Sequence, residues 1–105
     1  MLDEKTIQEA VDRILRAAPG ARVIVFGSRG RGDADAHSDL DLLVIEPRLE
    51  NAYEETLRLD EVLRPLGVPA DLLVVSEERF DYWKDTPNTV FYRAAREGRA
   101  YEPVA

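Results

Sequence analysis

The chain has 105 residues, 45% apolar and 33% charged, the size and composition of one globular domain around a single hydrophobic core. Its net charge of −7 argues against a protein that grips DNA directly, because that affinity comes from Lys and Arg displacing the counterions of a phosphate backbone. There are no cysteines for disulfides or zinc thiolates, no apolar run near about 18 residues for a membrane span, and the opening MLDEKTIQEA has neither the basic nor the apolar region of a targeting signal, so a single cytoplasmic domain over 1–105 is expected.

Residues 3–18 place Ile7, Ala10, Val11, Ile14, Leu15 and Ala18 at spacings of three and four, which predicts an amphipathic helix stopped by Pro19 and Gly20. ARVIVF (21–26) and LDLLVI (40–45) are short apolar, β-branched runs that read as buried strands. A helical rhythm over 49–64 runs through Leu49, Ala52, Tyr53, Thr56, Leu57, Leu59 and Leu63 and closes at Pro65 and Gly67. DLLVV (71–75) is a third strand. Ser76 before Glu77 and Glu78 then caps a short helix reaching about Trp83.

Thr86 before Pro87 is a further helix-start signal, with Val90, Phe91, Ala94 and Ala95 as the apolar face of a last helix that Gly98 ends. The tail from Arg99 can add a short edge strand. The order helix, strand, strand, helix, strand, helix, helix predicts an α/β (α+β) domain with a small mixed sheet flanked by helices. Phe80 and Phe91 are expected in the core, and Tyr82 or Trp83 either joins them or anchors an interface.

Between the first two strands lies GSRGRGDADAHSDLD (27–41). It is not a dinucleotide fingerprint, because Asp35 stands where the third glycine belongs, and no G-K-[ST] occurs for a Walker loop. Nor is it a calcium loop, since one starting at Asp33 would need glycine at Ser38 and glutamate at Val44. What remains is Asp39 and Asp41 at the start of a strand. With a side-chain period of two, both carboxylates point to one side, their Cβ atoms roughly 6 to 7 Å apart. Such oxygens can converge on two divalent cations, which sit about 3.5 to 4 Å apart in two-metal sites, and hard ligands suit Mg2+ or Mn2+.

Asp71 heads an otherwise apolar strand, as Asp41 does. If the two strands are neighbours it is a third carboxylate at the same end of the sheet; otherwise it caps the turn after Pro69. Gly27 lets a phosphate approach the backbone and Ser28 offers a hydroxyl, or the two form a plain turn with a cap. Arg29 and Arg31 close over a polyphosphate, or neutralise Asp33 and Asp35 on a solvated face. His37 is read as an exposed loop residue.

GSRGRG followed by SDLDLLV closely resembles the nucleotidyltransferase signature G-S-x-x-R-G... S-D-x-D-[LI]-x-V of the minimal nucleotidyltransferase (MNT) domains, which share a catalytic core with DNA polymerase beta, kanamycin nucleotidyltransferase and the CCA-adding enzymes. The flanking helices, Asp71 and the closing REGRAYE (96–102) look similar too. The resemblance implies a nucleotidyltransferase fold with Asp39 and Asp41 as ligands of two Mg2+ ions and Asp71 as the third, proton-accepting carboxylate. It gives Gly27 and Ser28 the β and γ phosphates of ATP or another nucleoside triphosphate. Arg31 matches the family's arginine, and Arg29 occupies a more variable position.

The implied reaction is transfer of a nucleotidyl group, AMP from ATP, to an acceptor hydroxyl. Small MNT proteins are commonly paired with helical HEPN-domain toxins, so the resemblance implies an antitoxin that modifies a tyrosine of such a partner. The alternative is a non-catalytic binding protein that neutralises its partner by occlusion. A domain this small must borrow its acceptor site from a partner or from a second copy in a homo-oligomer.

Overall fold

Helix α1 (Glu4–Ala17) forms where the sequence pattern predicts it, and Ile7, Ala10, Val11 and Ile14 are its buried stripe. The chain leaves it through Gly20, whose φ of +85° is a left-handed conformation that a side chain would strain. Strand β1 (Arg22–Phe26) and strand β2 (Leu40–Glu46) follow, and α2 (Ala52–Leu63) starts at Asn51, whose side chain accepts a hydrogen bond of 3.0 Å from the Glu54 N–H. After a 3-10 turn at Arg64–Leu66 come β3 (Ala70–Ser76), α3 (Glu77–Trp83), α4 (Val90–Glu97) and β4 (Arg99–Tyr101). This computed structural model describes residues 4–26, 40–67 and 70–101.

The four strands form one mixed sheet in the order β3-β2-β1-β4. β1 pairs antiparallel with β2 and with β4, whereas β2 and β3 are parallel. A parallel pair needs a crossover, and α2 supplies it. The sheet buries both faces. Val23, Val25, Leu40, Leu42, Val44 and Val74 pack against α1 and α2 through Val11, Ile14, Leu59 and Leu63; Ile24, Phe26, Leu43, Ile45 and Val75 pack against α3 and α4 through Phe80 and Ala94. This is why LDLLVIE is apolar almost throughout rather than alternating: central β2 has no solvent face.

The structure departs from the sequence reading at two helices. Tyr53 and Leu57, placed on the apolar stripe of the second helix, are 73% and 49% exposed, while Leu59 and Leu63 are buried. The helix rests on the sheet and on α1 along one narrow strip, and a four-residue rhythm cannot tell which of two adjacent stripes that will be. The last helix begins at Val90, not at Thr86, because Thr89 is its cap: the Thr89 hydroxyl accepts from the Tyr92 N–H at 3.1 Å and donates to the Thr86 carbonyl at 2.8 Å. Asn88, at φ +70°, turns the chain between them. Phe80 is buried, Phe91 is half-buried against the same cluster, Trp83 is half-buried and Tyr82 is 74% exposed.

At the far end of α4, Gly98 lies against β1. A Cβ there would collide with the Ile24 side chain and stand 2.7 Å from the Ala94 oxygen and 2.9 Å from that of Val25. A glycine is required here for close approach, since the backbone itself is in an ordinary region (φ −84°).

Candidate active site

The parallel register of β2 and β3 puts Asp41 directly beside Asp71. On the other side of Asp41, Phe26 of β1 is its antiparallel partner, so Phe26, Asp41 and Asp71 form one row across three strands. Adjacent strands lie about 4.7 to 4.9 Å apart. Leu43 and Leu73, two residues further along, belong to the cluster under α3 and α4, so by the period of two both aspartates lie on that same face. Asp41 is half-buried and Asp71 exposed, which makes the pair a rim of the sheet open to solvent.

β1 ends at Phe26 and β2 begins at Leu40, in the rows that bracket this rim, so both ends of the connecting segment 27–39 are anchored beside the two carboxylates. Of the residues singled out in the sequence, Asp41 and Asp71 are thus brought together. Gly27, Ser28, Arg29, Arg31, His37 and Asp39 lie outside the described residues. No group of three or more His, Cys, Asp or Glu side chains able to hold a metal occurs among the described residues. The two described carboxylates nonetheless supply hard oxygen donors of the kind Mg2+ takes.

A second charged cluster, not anticipated from the sequence, sits at the other end of β2. Glu46 Oε2 is buried, and Glu55 of α2, with a side chain only 16% exposed, is held by both arms of Arg58 at 2.8 and 2.7 Å. Burial, followed by the hydrogen bond to Glu55, pushes the Glu46 carboxyl up to about 7. Arg58, followed by Glu46, holds Glu55 down at about 2. Below about pH 7 Glu46 therefore keeps a proton that faces the Glu55 carboxylate. The signal in the sequence was a glutamate closing an apolar strand with Glu55 and Arg58 one helical turn apart, but nothing local says that the strand and the helix meet there.

With the geometry in hand, relatives are informative. Residues 5–96 match the family model described as a nucleotidyltransferase domain, a span that includes the segment 27–39 and both described aspartates. The chain is similar to a relative from Methanocaldococcus jannaschii named "Putative protein adenylyltransferase", 32% identical over 84 residues, which are 77% of this chain and 81% of the relative. Its structure is similar to the crystal structure of a "putative nucleotidyltransferase" from Sulfolobus solfataricus, with a TM-score of 0.60, 28% identity, and coverage of 77% of this chain and 73% of that one. The mixed sheet, the carboxylates at its rim and the span of the match agree: this chain belongs to the nucleotidyltransferase domain family.

Proposed function

We propose that this domain transfers AMP from ATP to a hydroxyl of a protein, and that the acceptor is a tyrosine of a helical HEPN-type toxin for which the chain serves as antitoxin. The observation that carries the chemistry is the in-register pair Asp41 and Asp71 at the mouth of segment 27–39. The protein acceptor is supported by the likeness to the relative named as a protein adenylyltransferase. A net charge of −7 favours a basic, RNA-handling partner.

In this reading Asp41 and Asp71, joined by Asp39, hold Mg2+, which when bound neutralises triphosphate charge and makes the acceptor hydroxyl easier to deprotonate. Gly27 and Ser28, with Arg31 and Arg29, bind the phosphates beyond the reacting centre. The acceptor oxygen forms a bond to the α phosphorus while the bond from that phosphorus to the pyrophosphate oxygen breaks. Asp71, the more exposed of the two described carboxylates, takes the hydroxyl proton.

The test incubates the protein with Mg2+, labelled ATP and a helical HEPN-domain protein, then maps label by mass spectrometry. AMP on a partner tyrosine, absent with Asp41→Asn, is the expected result. Tight binding that silences the partner without any label would instead establish neutralisation by occlusion.

A further inference from the structure

The two edges of the sheet are built differently. Among the described residues β4 spans Arg99–Tyr101, and its Arg99 is tied to Glu4 of α1 at 2.9 Å, so that edge carries a cation. β3 is seven residues long, and every residue from Ala70 to Ser76 pairs one-to-one with β2, without a bulge. Among the described residues no strand pairs with its outer side. Its sequence ADLLVVS contains no Lys, Arg or Pro, the residues with which proteins usually blunt an edge. The open edge is also the strand that carries Asp71.

From this we infer that β3 is the acceptor-docking site, taking an extended, basic-flanked polypeptide segment as an added strand and so presenting its hydroxyl residue to Asp71. The inference rests on the adenylyl-transfer reading above. In an added strand the residue paired with Asp71 shares its face, with Cβ atoms about 4.5 to 5.5 Å apart, and Asp41 is one strand further in. The acceptor oxygen then attacks the α phosphorus of ATP, pyrophosphate leaves, and the hydroxyl proton passes to the Asp71 carboxylate.

Charge selects the occupant. Residues 70–85 carry five acids, Asp71, Glu77, Glu78, Asp81 and Asp85, against two bases, Arg79 and Lys84, so a second copy of the same segment would be repelled and a basic segment attracted. At the Ser76 end the edge runs into a cleft of about 750 Å3 lined also by Glu78, Arg79, Asp81, Tyr82 and Trp83, two acids against one arginine. Acids and two aromatic rings, the latter edge-to-face at 4.9 Å, suit a Lys or Arg of the same docked segment.

The test uses the amidated peptide RTVYVTR, the same peptide with alternate backbone nitrogens methylated, and tyrosinamide. Each is added to 15N-labelled protein with Mg2+ and ATP, and amide exchange and AMP transfer are both followed. The plain peptide, with its tyrosine opposite Asp71, is expected to slow exchange at alternate amides of residues 70–74 and to accept AMP at least about tenfold faster than tyrosinamide. N-methylation should abolish both effects. Equal behaviour of the two peptides, or protection confined to other elements, overturns the docking site. Protection of β3 in the protein alone with a doubled sedimenting mass also overturns it, in favour of an edge-to-edge dimer. Transfer to peptide and tyrosinamide at equal rates rejects the docking site and keeps adenylyl transfer; peptide protection of β3 without transfer to any probe does the reverse.

Discussion

Strand β2 ends in acids at both extremities, and the two ends have opposite electrostatic designs. At its start, Asp41 lies beside Asp71 in parallel register on an open rim. At its close, Glu46 meets a carboxylate already neutralised by Arg58, and the pair settles its charge internally by sharing a proton. Two acids side by side therefore have no fixed meaning. Where a cation and burial accompany them they are a closed structural contact, and where solvent access and parallel register accompany them they can gather charge from outside.

The largest effect should come at the open end. Asp41→Asn or Asp71→Asn keeps the side-chain volume and removes the charge, so transfer is expected to fall at least about a hundredfold, while stability of the variant at the exposed Asp71 stays within about 0.5 kcal/mol of the parent. Steady-state transfer and a denaturant titration measure the two. Near-normal turnover in either variant would remove that residue from the catalytic group.

Next in size is the packing that holds this end of the sheet against α4. Gly98→Ala drives a methyl into Ile24 and two carbonyl oxygens, with an expected loss of about 1 to 3 kcal/mol by urea unfolding. An unchanged midpoint would mean that α4 stands further from β1 than the structure has it.

At the closed end the prediction concerns pH. Glu46, at about 7 when folded against an ordinary 4.5, keeps its proton between these values while the unfolded chain has released it, so its contribution falls as pH rises through that window. Glu55, at about 2 when folded, acts on the other side: its contribution is lost as pH falls from 4.5 towards 2. Together they favour the fold most near pH 4.5. Glu46→Gln keeps a donor to Glu55 without titrating, and should flatten the decline between about pH 4.5 and 7. That decline is on the order of 1 kcal/mol once solvent screening is allowed for. A parent protein whose stability rises over the same range would contradict the shared proton.

The smallest effect is expected at Tyr82. It is 74% exposed, so Tyr82→Ala should change stability by less than about 0.5 kcal/mol. Any larger consequence for transfer to a partner would then report on contact with that partner.

Much of the fold was legible locally. α1 announced itself by the spacing of Ile7, Ala10, Val11 and Ile14, and β2 by a run too apolar to have a wet face. Ser76 marked the start of α3 through a cap its sequence pattern predicted, with the Ser76 hydroxyl 3.1 Å from the Arg79 N–H. Legibility failed where two local answers were equally good, as with the stripe of α2 that carries Tyr53 and Leu57, and where the start signal at Thr86 and Pro87 gave way to the cap that Thr89 makes. The family match over residues 5–96 agrees with the motif read from GSRGRG and SDLDLLV.

By itself, then, the sequence determined the kinds of element, the limits set by composition, and the membership in a nucleotidyltransferase family, because periodicity, capping chemistry and short motifs are properties of neighbours along the chain. Tertiary structure alone decided that the chain crosses back through α2 so that β3 lies parallel to β2, in a register that sets Asp71 against Asp41 and leaves β3 at the edge among the described strands. It also decided that Glu46 meets Glu55. The physical reason is the same in both cases: pairing between strands and packing of a helix on a sheet are set by burial of whole faces, which no window of adjacent residues contains.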